Sequence, residues 1–171
     1  RREQRGVAIS ILIGLATAAA SAAAVWISPL DLPTMSFAER MTIGVKCALV
    51  PSLWLLFMVA RVSTIRFFSA ADMRGSAFAP PSARLAVDAA VLQNSVEQAL
   101  IAVPVYLALA AQLDGRSLLL VPLLSALFLI GRIAFWWGYP HGAAARSLGM
   151  SMTLYPTLFA ALAAAALSLG A

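Results

Sequence analysis

Polar and ionisable residues stand inside two apolar stretches of this sequence. Asn94 and Glu97 lie within the apolar run 91–111, and Arg132 lies within the run 118–137. A charge at the centre of a bilayer costs at least ~2.5–3.5 kcal/mol on insertion scales, so it usually faces a partner or a wet cavity. On a helix, Asn94 and Glu97 share one face, and Arg132 and Tyr139 share another. We therefore expect a polar site between helices, where a guanidinium could bind a carboxylate and Glu97 could accept from an ammonium group.

The composition places these residues in an integral membrane protein. Of 171 residues, 62% are hydrophobic and 11% are charged, whereas a soluble domain carries about 25% charged residues. The length fits one domain. Because the basic residues flank hydrophobic runs instead of clustering with exposed aromatic residues, no nucleic-acid partner is expected. Cys47 and His141 are the only residues of their types, so neither an intrachain disulfide nor a bound metal is expected.

Five segments are long enough to cross a bilayer, which takes about 20 helical residues. They are residues 7–27, 43–62, 91–111, 118–137 and 148–169, and the third can be extended back to Leu85. The first resembles a signal peptide because arginines precede it, but it is longer than the ~7–15 residues of a signal's apolar region. We therefore expect a retained helix. The sequence predicts an all-α, integral membrane helical bundle.

The placement of lysine and arginine predicts the orientation. With a cytoplasmic N-terminus, eight basic residues lie inside and three outside, as the positive-inside rule favours. The inside set is Arg1, Arg2, Arg5, Arg61, Arg66, Arg74, Arg84 and Arg146, and the outside set is Arg40, Lys46 and Arg116. We expect a multi-pass protein of the bacterial inner membrane with its N-terminus in the cytoplasm. The residues expected to line one cavity open to the cytoplasm are Asn94, Glu97, Arg132, Tyr139 and Arg146.

Two local patterns resemble those of a known membrane family. The first is Asn94-x-x-Glu97 on the third segment, and the second is Arg132 followed seven residues later by Tyr139, with Arg146 near the start of the fifth segment. Their order and spacing resemble the family of membrane-associated proteins in eicosanoid and glutathione metabolism. That family includes microsomal glutathione transferases and the leukotriene- and prostaglandin-forming synthases.

The resemblance implies a four-helix protomer over residues 43–171 that assembles as a homotrimer. Residues 1–42 would then be an extra N-terminal transmembrane helix and its connector. Sites in the family lie between subunits and bind glutathione near the cytoplasmic side. By position, Arg146 would stabilise the thiolate, because a nearby cation lowers the pKa of a thiol. The residues that would hold the glutathione peptide are Asn94, Glu97, Arg132 and Tyr139. The implied activity is that of a transferase or peroxidase, which joins a cytoplasmic thiol to a lipophilic electrophile.

The sequence departs from the family pattern at Ala90, where many members carry arginine. One carboxylate contact of glutathione is then missing unless Arg61, Arg66 or Arg84 replaces it. This departure and the added helix leave room for a second interpretation, a non-catalytic family member that binds lipids or lipophilic small molecules or assists complex assembly. The same polar residues would then be structural: an interhelical hydrogen-bond and ion-pair lock of Asn94 and Glu97 with Arg132, an interfacial aromatic belt at Tyr139 and a topology anchor at Arg146.

Overall fold

Five long helices make up the chain in a computed structural model that describes residues 1–30 and 32–170. In chain order they are α1 (Arg2–Ile27), α2 (Phe37–Phe68), α3 (Ala83–Gln112), α4 (Leu120–Gly138) and α5 (Ala143–Leu169). Short 3₁₀ turns precede α4 at Gly115–Leu119 and follow it at Tyr139–His141. Each of the five is long and apolar enough to cross a membrane. The prediction of an all-α membrane bundle with five spans is confirmed.

The connection between α2 and α3 is shorter than the hydrophobic runs suggested. α2 continues through Phe68 and α3 begins at Ala83, so residues 69–82 connect them. Asp72 secures this connection because its carboxylate accepts hydrogen bonds from the Ser82 backbone N–H at 2.8 Å and the Ser82 hydroxyl at 2.7 Å. These hydrogen bonds stabilise the ionised form and hold the pKa of Asp72 below its usual value. Ser82 in turn caps α3 by accepting from the backbone N–H of Leu85.

α1 packs on the outside of the other four helices, chiefly against α5. Small residues form the contact: Gly6 lies against Ala144, and a Cβ at Gly14 would approach Ser151 to 2.7 Å. The hydroxyl of Ser147 donates to that of Ser10 at 2.9 Å. Because the side chains between them are small or absent, the two backbones can approach closely.

α4 and α5 touch through glycines. A Cβ at Gly149 would overlap the backbone of Gly131 and Phe135, and a Cβ at Gly131 would overlap the hydroxyl of Thr153. Both positions are ordinary helical backbone, so glycine is required here for space and not for its conformation. The close approach places the Gly149 carbonyl and the Thr153 hydroxyl beside the side chain that follows Gly131 in the sequence, Arg132.

Five spans place the two ends of the chain on opposite sides of the membrane, which labelling can test. In a Cys47→Ala background, we expect a membrane-impermeant maleimide to label Gly170→Cys in intact cells and Arg2→Cys only after lysis. The positive-inside rule sets this direction. Both residues are exposed, so the reagent can reach either one. Labelling of both cysteines from one side would contradict the topology, and the reverse pattern would contradict the orientation.

Candidate functional site

Arg132 is completely buried between α3, α4 and α5. Its Nη1 donates to Asn94 Oδ1 at 2.7 Å, while Nε and Nη2 donate to Thr153 Oγ1 at 3.2 and 3.0 Å. The guanidinium carbon lies 4.6 Å from the centroid of the Phe135 ring, close enough for a cation–π contact. Within the described residues, an amide, a hydroxyl and an aromatic face hold this cation, and no carboxylate lies within salt-bridge distance of it.

Asn94 connects Arg132 to Glu97. Its Oδ1 accepts from Arg132, and its Nδ2 donates to Glu97 Oε2 at 3.4 Å. Glu97 itself is exposed on the outer face of α3, where Gln93 donates to its other oxygen at 3.2 Å. Within the single chain, Glu97 therefore does not face the interior. The reason is helix rotation: the buried face passes through Gln98, and Glu97 lies about 100° away around the helix.

Tyr139 and Arg146 are brought together by the turn from α4 to α5. Gly138 lies against the backbone of Ala145, and Gly142 takes φ 100°, a conformation that favours glycine, just before α5 begins. The chain reverses within a few residues as a result. The Arg146 guanidinium carbon then lies 4.8 Å from the centroid of the Tyr139 ring.

One cavity of 380 Å³ brings three of the five predicted residues together. Asn94, Tyr139 and Arg146 line it, Arg132 lies behind Asn94, and Glu97 is outside it. In the single chain, therefore, three of the five residues expected to line one cavity do line one, and two do not. The other side chains that line it are Val7, Ala90, Phe135, Ala143, Ser147 and Met150. It is thus a small amphipathic chamber, with polar groups from Asn94, Tyr139, Arg146 and Ser147 and an otherwise apolar lining.

Ala90, the position where the family pattern has arginine, also faces this cavity. The arginines considered as replacements do not line it. Arg61 and Arg84 line a different cavity, and Arg66 lines neither of the two. Within the described chain, therefore, no basic residue of α2 or of the start of α3 replaces the missing guanidinium.

Sequence reasoning missed a second polar cluster around Asp88. This carboxylate is buried; Oδ1 accepts from Trp136 Nε1 at 2.8 Å, and Oδ2 lies 3.0 Å from Arg61 Nε. The guanidinium carbon of Arg61 lies 4.7 Å from the centroid of the Trp136 ring. The signal was present, because extending the third span back to Leu85 places an acidic residue inside an apolar helix.

The comparisons with known proteins agree with the motifs. A sequence model of the MAPEG family matches residues 45–166, which is most of the chain. No curated protein and no solved structure shows a significant match. The matched range contains all five residues singled out from the sequence and begins after α1. The chain therefore belongs to the MAPEG family, the membrane-associated proteins in eicosanoid and glutathione metabolism.

Proposed function

We propose that this protein uses the thiol of cytoplasmic glutathione against a lipophilic reactant, either joining it to an electrophile as a membrane glutathione transferase or reducing a peroxide, with two glutathione molecules oxidised to the disulfide, as a peroxidase. The observation that carries the proposal is the cavity lined by Asn94, Tyr139 and Arg146. Glutathione offers carboxylates, an ammonium group, amides and a thiol. A chamber with an amide, a phenol and a cation, in a bundle that spans the membrane, can hold such a peptide beside a reactant that enters from the lipid.

In the transferase reaction, Arg146 would stabilise the thiolate. Its guanidinium stacks on Tyr139 and, among the described residues, makes no side-chain hydrogen bond, so its N–H groups are free to face a ligand. A guanidinium beside a thiol lowers the thiol pKa, and the thiolate is the nucleophile. With an aryl halide, the thiol proton passes to water, a C–S bond forms, the C–halogen bond breaks and halide leaves. Tyr139 would position the thiol for this attack.

A homotrimer would explain the exposed position of Glu97. This residue lies roughly 20 Å along α3 from its first residue, which is deep in a spanning helix. A carboxylate that faces lipid at this depth is costly, and a neighbouring subunit that covers the Gln93–Glu97 face would shield it. We expect native mass spectrometry in mild detergent to show a trimer. Only monomers or dimers would contradict this assembly.

Binding and turnover of glutathione test the proposed activity directly. We expect glutathione to raise the melting temperature of the purified protein, since a ligand at a hundred times its Kd stabilises by ~2.7 kcal/mol. We also expect conjugation to a chlorinated dinitrobenzene. Arg74→Ala is a matched control, because Arg74 is exposed and lines neither cavity. The absence of both thermal shift and conjugation would contradict the proposal.

One observation favours a second candidate function, a non-catalytic protein that binds lipid or assists complex assembly. Each nitrogen of the Arg132 guanidinium donates to a partner in its own chain, so this cation has hydrogen-bond partners in the membrane without a ligand. The cavity also lacks one positive charge, because Ala90 stands where the family pattern has arginine. This candidate predicts that glutathione produces neither a thermal shift nor turnover.

Restoring the missing arginine should strengthen glutathione binding. Because Ala90 faces the cavity, Ala90→Arg places a guanidinium where it can bind a carboxylate. A hydrogen bond to a charged group contributes about 1.5–3 kcal/mol, so we expect an affinity gain of about tenfold or more. Isothermal titration calorimetry measures it. Ala90→Leu adds bulk without charge and should weaken binding; equal or weaker binding by Ala90→Arg would contradict the expected carboxylate contact.

A further inference from the structure

The cavity around Asp88 is distinct from the one that contains Asn94. It has a volume of 590 Å³ and lies between α2, α3, α4 and the turn after α4. On α3, Asp88 lines this cavity and Ala90 lines the other. Among the described residues, no side chain lines both cavities, so the two can bind different molecules.

The charge of Asp88 is compensated within the protein. Trp136 donates to one carboxylate oxygen at 2.8 Å, and Arg61 Nε lies 3.0 Å from the other. Arg61 is only partly buried, and in the described chain its terminal NH₂ groups make no hydrogen bond. Arg84 lines the same cavity and is exposed. The rim therefore presents cationic donors without a competing free carboxylate.

The walls of the cavity are apolar. Val87 from α3 and Ile133 and Trp137 from α4 line it, and Trp137 is 75% exposed. Tryptophan is enriched where membrane meets water, and this cavity lies at the ends of the helices that flank the α2–α3 connection. A cationic rim above an apolar wall at this level matches the boundary between the headgroups and the acyl chains of a lipid leaflet.

We propose that this cavity binds one anionic phospholipid of the leaflet at the α2–α3 end of the bundle. The phosphate would accept hydrogen bonds from Arg84 and from the terminal NH₂ groups of Arg61, and an acyl chain would pack against Ile133 and Trp137. Basic pockets between spanning helices are known to hold anionic headgroups. A free phosphate would pair with the two arginines but would leave the apolar wall uncovered. A neutral lipid would pack against the wall but would bring no net negative charge to the arginines. The inference is independent of glutathione binding.

Native mass spectrometry of the full chain in detergent, with phosphatidylglycerol and phosphatidylcholine of matched acyl chains, tests the proposal. We expect preferential retention of phosphatidylglycerol. Arg84→Gln should reduce this preference about fivefold, the loss expected from one membrane-surface cation. Arg74→Gln is the control, since Arg74 is exposed but does not line the cavity, and it should leave the preference unchanged. Ile133→Trp should weaken the retention of both lipids, because the larger side chain would occupy the space meant for the acyl chain.

Three results would overturn the proposal. The first is equal retention of the two phospholipids, or an equal loss in Arg84→Gln and Arg74→Gln. The second is displacement of the lipid by millimolar inorganic phosphate, which would show a site for free anions. The third is cross-linking between copies through His141→Cys in a Cys47→Ala background, which would show that the cavity faces another subunit. Because Arg84 is exposed, its variant should fold, and the comparison does not depend on Ile133→Trp.

Discussion

Replacement of Arg146 by alanine should lower the rate of glutathione conjugation by about 10²–10³-fold, the usual loss when one electrostatic stabiliser is removed from a reacting centre. Arg146 is half-buried, lines the cavity and stacks on Tyr139. It is the one arginine among the side chains that line this cavity in the described chain. Without it, the pKa of the bound thiol should be higher. The pH at which kcat reaches half of its maximum should therefore rise, while the maximal rate falls.

The comparison with Arg146→Lys separates this role from that of a topology anchor. Lysine keeps the positive charge that orients the chain but is not interchangeable with arginine where a planar guanidinium stacks on a ring. We expect Arg146→Lys to keep the orientation and recover only part of the rate. The melting temperature of Arg146→Ala should remain close to that of the parent, because the residue is not fully buried. An unchanged rate with a changed orientation would refute the catalytic role.

Replacement of Arg132 by alanine should lower the free energy of unfolding by about 3–5 kcal/mol. The change opens a cavity in a packed site and leaves Asn94 Oδ1 without its Arg132 donor. Arg132→Met fills most of the volume without the charge and should cost less than the alanine variant. Detergent-denaturant titration followed by circular dichroism measures both.

A double-mutant cycle identifies the partner of Arg132. Asn94 is in direct contact with it, whereas Glu97 is reached only through Asn94. The coupling free energy between positions 94 and 132 should therefore exceed that between positions 97 and 132. A loss below about 1 kcal/mol for Arg132→Ala, smaller than a typical large-to-small change in a core, would contradict the structural role.

The spans could be predicted from the sequence because long apolar runs have few alternatives in a membrane protein. The ends of the helices could not be predicted as well. α2 runs past Val62 to Phe68, and α3 begins before Val91 at Ala83, because a helix continues while its backbone bonds are satisfied, whether or not its side chains are apolar. The turns added at these ends carry two charged residues: Arg66, which hydropathy alone leaves in the connection, and Asp88, which enters the third span only when that span is extended back to Leu85.

The chemistry of the site was easier to predict than its geometry. Spacing predicted that Asn94 and Glu97 share one helix face, and the two side chains do form a hydrogen bond, but spacing does not specify how that helix is rotated against its neighbours. Only packing shows that Asn94 faces Arg132 while Glu97 faces outward. The Arg61–Asp88 pair joins two helices across the bundle, and no local pattern connects the two residues. No local pattern predicts the neighbour of α1 either, because this helix carries apolar residues on all of its faces.

The position of α1 also determines what can be attached to this protein. Val7 lines the Asn94 cavity, and Gly6 and the preceding turn pack against the start of α5. A protein fused ahead of Arg1 through a short flexible linker would be held beside the cavity at an effective concentration on the order of millimolar. α5 runs away from the cavity over 27 residues, or roughly 40 Å. If an enzyme that produces a reactive lipophile were fused to the N-terminus, it would therefore release its product beside this cavity. The same enzyme fused to the C-terminus would release its product at the opposite face of the membrane.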